Sequence, residues 1–131
     1  MDLNKFSREV HQNAVEHGWW DEPRSFPEIV ALCHRELSEA LEEYRKGMPM
    51  VYGKTAGDCT CCQSDMCDCE DLRDTKKCDQ YKPEGIAVEM ADTIIRILDW
   101  CGKENIDIEA VLERKHSYNK TRSYRHGGKK L

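Results

Sequence analysis

The stretch SFPEIVALCHRELSEALEEYRKG, residues 25–47, decides the fold class. Ser25 followed three residues later by Glu28 makes a capping box, the signature of a helix start. Helix formers then run without interruption to Lys46, and Gly47 ends the segment. Wound from Ile29 at about 100° per residue, Ile29, Leu32, Cys33, Leu37, Ala40, Leu41 and Tyr44 share one apolar arc, roughly from 300° through 0° to 120°. Glu36 and Glu43 fall inside that arc, Glu39 lies at its edge, and Glu42 points away. A solvated face accounts for Glu42. It does not account for Glu36, because a buried, unpaired carboxylate is costly and either neutralises or finds a cation. Something positive is expected to face this helix.

Three more helices can be read around it. The first runs from about Leu3 to His17, with Phe6, Val10 and Ala14 on one side, and stops at Gly18. The third starts near Pro83 and Glu84, with the proline in a first turn, and ends at Gly102. The fourth takes Asp107 as its N-cap and continues to about Tyr124. No alternating strand pattern of useful length and no internal repeat is present. The expectation is an all-α, four-helix bundle-like single domain over residues 1–131. Between the second and third helices, from about Met48 to Lys82, the composition changes to cysteines and acids with almost no large aliphatic residue. Residues 52–82 read as a Cys-rich acidic insertion loop, unable to build a core of its own.

The third helix, GIAVEMADTIIRILDWC, is apolar over most of its circumference, which marks it as central. Glu89, Asp92, Arg96 and Asp99 form its one polar strip. Glu36 and Glu39 are three apart, as are Glu89 and Asp92, so each pair projects side by side. Four carboxylates meeting between two helices repel unless a cation lies among them. All-oxygen ligation selects Mg²⁺, or Mn²⁺, and Mg²⁺ held this way completes its octahedron with waters and substrate phosphates. On the fourth helix, Lys115, Tyr118, Asn119 and Arg122 take the i, i+3, i+4, i+7 spacing that normally carries an apolar stripe. There they offer donors and cations.

Composition narrows the classes. A net charge of −5 and the absence of a basic stripe outside the C-terminal tail argue against nucleic acid as a partner. With 39% hydrophobic and 34% charged residues the core is modest, and small helical units of this kind complete theirs by oligomerising. No apolar run approaches a membrane span, and MDLNKFSREVHQ lacks the apolar region of a secretory signal, so no membrane partner and a cytoplasmic location are expected.

These motifs, Glu36-Leu37-Ser38-Glu39, Glu89-Met90-Ala91-Asp92 and the downstream Lys115 to Arg122, resemble the MazG-like all-α nucleoside triphosphate pyrophosphatases. The resemblance covers roughly residues 1–50 and 83–128; the long segment between the acidic motifs departs from the short linker usual there. It implies hydrolysis of a nucleoside triphosphate, foremost a deoxynucleoside triphosphate, between the α and β phosphates to give monophosphate and pyrophosphate. It also implies that Glu36, Glu39, Glu89 and Asp92 bind Mg²⁺ and that Glu39 or Glu43 orients or deprotonates the attacking water. Lys115, Tyr118, Asn119, Arg122 and Arg96 would contact substrate, and a homodimer or homotetramer is the expected assembly. Trp19 and Trp20, just before the second helix, either stack on the base or cover the core beside it.

Two features stand apart. Cys59, Cys61, Cys62, Cys67, Cys69 and Cys78 offer enough thiolates for a structural Zn²⁺ site, although not in paired CxxC spacing; redox-sensitive thiols or a plain acidic loop fit as well. Cys33 and Cys101 lie on apolar helical faces and read as core. The rival functional readings are a phosphoribosyl-nucleotide pyrophosphohydrolase on the same fold, and a non-catalytic, zinc-containing helical interaction module. The second gives no reason to bury Glu36.

Overall fold

A computed structural model of the chain describes residues 1–54, 66–67 and 82–130. The elements are α1 (Leu3–Glu16), α2 (Phe26–Arg45), β1 (Tyr52–Lys54), β2 (Met66–Cys67), β3 (Lys82–Glu84), α3 (Ile86–Lys103), α4 (Ile108–Lys120) and the short α5 (Arg125–Gly128). The fold class is the all-α, helical bundle-like one that the sequence predicts. Among the described residues no helix is long and apolar enough to cross a membrane.

The helix starts obey the capping signals. Asp2 accepts from the Lys5 amide and Asp107 from the Ala110 amide, each relieving an orphan donor of a first turn. At α2 both arms of the capping box form: the Ser25 amide donates to Glu28 Oε2 at 2.6 Å and the Glu28 amide to Ser25 Oγ at 3.3 Å.

The chain divides into two compact units, Met1–Pro23 with Leu98–Leu131, and Arg24–Ile97. In the first, Ser7 is fully buried on α1 and its hydroxyl donates to the Leu98 carbonyl at 2.6 Å. Leu98 and Cys101 are buried. Gly102, expected to end α3, is instead inside it, because α1 approaches so closely that a Cβ there would sit 2.5 Å from the Ser7 carbonyl oxygen. The glycine serves packing and the helix runs one residue further. One turn earlier, at the start of α1, the Leu3 amide donates to Glu109 Oε1 at 2.7 Å, and Asn4 Nδ2 to Asp107 Oδ1 at 2.8 Å, tying α1 to the start of α4. The fourth helix stops at Lys120, short of the expected Tyr124: the Thr121 hydroxyl turns back onto the Tyr118 carbonyl at 2.7 Å and caps it. Arg122 therefore lies beyond the helix that carries Lys115, Tyr118 and Asn119.

In the second unit Ile29 and Ala40 of α2 are buried, with Leu32 and Cys33 half-buried. Leu37, Leu41 and Tyr44, expected on the same inward arc, are exposed, as are Met90, Ile94, Ile95 and Ile97 of α3. The apolar arc of α2 and the apolar circumference of α3 are wider than what the described residues cover. A second departure concerns the start of α3. Pro83 and Glu84 are not in its first turn but in β3, which pairs antiparallel with β1 in the register Tyr52↔Glu84, Gly53↔Pro83 and Lys54↔Lys82; β1 pairs β2 on its other side. Three-residue strands give no periodicity to read, so pattern analysis passes over them. Gly85 then makes the turn into α3 at φ +116°, where a Cβ would lie 2.5 Å from the Met50 carbonyl oxygen. That carbonyl accepts the Ala87 amide at 3.0 Å.

Candidate metal centre

The second unit brings together three of the four acids expected to form a metal site. Glu36 comes from α2, and Glu89 and Asp92 from one face of the first turns of α3. One carboxylate oxygen from each lies within 4.8 Å of the other two. Glu36 and Glu89 are buried, at 4% and 7% exposure, and Asp92 is half-buried. Such crowding of like charges out of water shows in their protonation. Burial, followed by the charges of Glu39, Asp92, Glu36 and Glu84, pushes the Glu89 carboxyl up to about 7. Asp92 moves the same way, through burial and the Glu36 charge, with Arg96 pulling against it.

Arg96 is the positive group that the inward Glu36 demands. One turn beyond Asp92 on α3, its Nε donates to Glu36 Oε1 at 2.6 Å, a charge-assisted bond between a buried carboxylate and a half-exposed guanidinium. The remaining lone pairs of the three acids form an all-oxygen donor set, which fits a hard divalent cation such as Mg²⁺ or Mn²⁺ and not a thiophilic one.

Glu39 is not among the three. Its Oε1 accepts from Arg35 Nε at 2.9 Å along the surface of α2, yet its charge still weighs on Glu89. Glu43, one turn further, is half-buried and accepts the Tyr52 hydroxyl on Oε2 at 2.9 Å. Burial, that hydrogen bond and the charges of Glu43, Glu84 and Glu89 push the Tyr52 phenol up to about 12, so it remains a donor at every physiological pH.

No family model matches this chain. Nor does any curated protein or any solved structure.

The residues expected to contact substrate, Arg96 excepted, belong to the first unit. Lys115 Nζ lies 5.2 Å and Arg122 Cζ 5.9 Å from the centroid of the Tyr118 ring, so the ring gathers both cations, with Asn119 beside them and all four exposed. Trp20 is half-buried and engaged on several sides. Its Nε1 donates to both Asp99 oxygens, at 3.0 and 3.1 Å; His11 meets its ring edge-on at 5.5 Å; and Lys103 Nζ stands 5.4 Å from its centroid. Asp99 also holds His11 Nδ1 at 2.7 Å. Trp19 is exposed. Cys59, Cys61, Cys62, Cys69 and Cys78 lie outside the described residues, and Cys67 is described only through its backbone pairing with Gly53. Burial raises the thiols of Cys33 and Cys101, as for inert core cysteines.

Sequence reasoning missed Tyr52, which it assigned to the insertion, and Arg35. Arg35 had a signal: an arginine four residues before Glu39 on a helix. Tyr52 had none, since its role depends on a strand pairing across the insertion.

Proposed function

We propose that the chain is a divalent-cation-dependent nucleoside triphosphate pyrophosphohydrolase of the MazG-like all-α kind, cleaving between the α and β phosphates. The observation that carries this reading is the convergence of Glu36, Glu89 and Asp92 oxygens within 4.8 Å, from two helices that present the two ordered acidic motifs. A surface ion-pair network would not bury such a group at its own electrostatic expense.

Glu36, Glu89 and Asp92 would hold Mg²⁺, with Glu39 as a fourth carboxylate. The bound ion supplies Lewis-acid stabilisation of the phosphate oxygens and a positioned water. The water oxygen attacks the α phosphorus in line, the bond to the α–β bridging oxygen breaks, and pyrophosphate leaves. Glu43 or Glu39 accepts the water proton and passes it to solvent. Lys115, Tyr118, Asn119, Arg122 and Arg96 are the proposed donors to the phosphates, and Trp19 and Trp20 the proposed surfaces for the base. Exposure of Leu37, Leu41 and Tyr44 on α2, and of Met90, Ile94 and Ile97 on α3, supports a homodimer or homotetramer, since each set repeats at i, i+4, i+7 as a core-facing stripe does.

The test is a product assay with Mg²⁺ across a panel of nucleoside and deoxynucleoside triphosphates. Monophosphate with pyrophosphate, abolished by a chelator, is the expected result. Diphosphate with phosphate, or neither turnover nor binding of any triphosphate, would refute the proposal.

A further inference from the structure

Tyr52 joins the two acid-bearing helices through the foot of the insertion. It is buried at 7% exposure in β1, and its hydroxyl donates to Glu43 on α2 at 2.9 Å. Its own strand is laddered to β3, where it faces Glu84, and two residues before it the Met50 carbonyl accepts the Ala87 amide in the first turn of α3. Gly85, the turn between β3 and α3, fits against that same carbonyl, and the Gly85 carbonyl accepts the Glu89 amide at 3.1 Å. A continuous set of hydrogen bonds thus runs from Glu43, through Tyr52 and the β1–β3 ladder, to the turn that carries Glu89. Glu43 is one helical turn past Glu39 and two past Glu36.

We propose that Tyr52 is a positioning residue: its phenolic hydroxyl pins Oε2 of Glu43, orienting that carboxylate as the proton acceptor for the attacking water. This rests on the hydrolase reading above and deepens it. A carboxylate with one oxygen fixed by a buried donor loses rotational freedom about its side chain and keeps the other oxygen in one place. The role selects Glu43 over Glu39, whose carboxylate is held by the exposed Arg35.

The experiment compares full-length wild type, Tyr52→Phe, Glu43→Gln and the double variant for kcat, KM and Mn²⁺ affinity by titration calorimetry. Tyr52→Phe keeps the ring and its burial, so its melting midpoint is expected within about 3 °C of wild type. Its kcat is expected to fall about tenfold or more, with KM and Mn²⁺ affinity within about twofold, the pattern of a lost orienting contact. Glu43→Gln is expected to fall further, and adding Tyr52→Phe to it should cost nothing more, because the hydroxyl then has no base to orient. Wild-type kcat in Tyr52→Phe, losses that multiply in the double variant, or an equal loss of Mn²⁺ affinity would each overturn the role while leaving the hydrolase reading in place. Absence of wild-type turnover alongside normal Mn²⁺ binding would instead remove the hydrolase reading, and this role with it.

Discussion

Replacing Glu89 by Gln is expected to stabilise the metal-free protein while destroying its affinity for a divalent cation. Glu89 has its carboxyl displaced from an ordinary 4.5 up to about 7 by burial and by four neighbouring carboxylates. Because the folded value lies above the unfolded one, the folded state binds the proton more tightly, and stability falls as pH rises between the two values. The penalty is absent below about pH 4.5, grows through the interval, and is complete above about pH 7, where it amounts to at most about 3 kcal/mol. Water reaching the half-buried Asp92 screens part of it, so about 2 kcal/mol is the working figure. For a chain of this length that is a rise in melting midpoint of about 5–10 °C for Glu89→Gln at pH ~8, shrinking to a degree or two at pH ~5. Thermal unfolding by circular dichroism in the presence of a chelator reads it directly. Millimolar Mn²⁺ should then raise the wild-type midpoint and leave that of Glu89→Gln unmoved. A variant less stable than wild type at the higher pH, or a stabilisation of the same size at both, would refute the account of Glu89 as a repelled, buried carboxylate.

Arg96→Met removes the partner of buried Glu36 and is expected to cost about 2–3 kcal/mol in metal-free denaturant titrations, with part of the loss restored by Mn²⁺ as a substitute cation. Asp92→Ala is expected to remain folded by circular dichroism yet lose turnover by more than about a hundredfold; retained activity would remove Asp92 from the metal site. Gly85→Ala forces a Cβ against the Met50 carbonyl at positive φ and should lower stability by about 2 kcal/mol or more, read as a shifted denaturation midpoint. Leu41→Lys on the exposed apolar stripe of α2 should reduce the mass seen in sedimentation to that of a single chain, and an unchanged mass would place the assembly surface elsewhere.

The helices were legible because their signals are local. Ser25 with Glu28, Asp107 and the glycine after Lys46 mark ends through contacts a few residues long, and a 3.6-residue period survives without tertiary knowledge. The inward turn of Glu36 was legible for the same reason, and the structure buries it. What sequence could not supply was competition from distant parts of the chain. Gly102 looks like a stop until α1 is seen to press against it, and Pro83 looks like a helix start until β1 claims it for a ladder. The apolar arc of α2 could be drawn, but which part of it one chain covers is set by how much surface the other elements offer. The cation facing Glu36 was required by the sequence without being identifiable, since an arginine on a polar strip resembles any solvated one. Tyr52 shows the limit most clearly: its partner Glu43 is nearby in sequence, but the strand that aims it is closed by residues thirty positions away.

The ladder between β1 and β3 also has a consequence for how such a chain can change. Lys54 and Lys82 stand opposite each other, so the helical framework presents the two ends of the insertion side by side. For an unstructured insert, doubling the length of such a closed segment adds only about 0.6 kcal/mol of closure entropy. The helices that carry the acids would barely register its size. The foot is thus a docking port at the level of the gene, where a segment can be lengthened or carry a reporter, provided that β1 keeps its register with both β2 and β3.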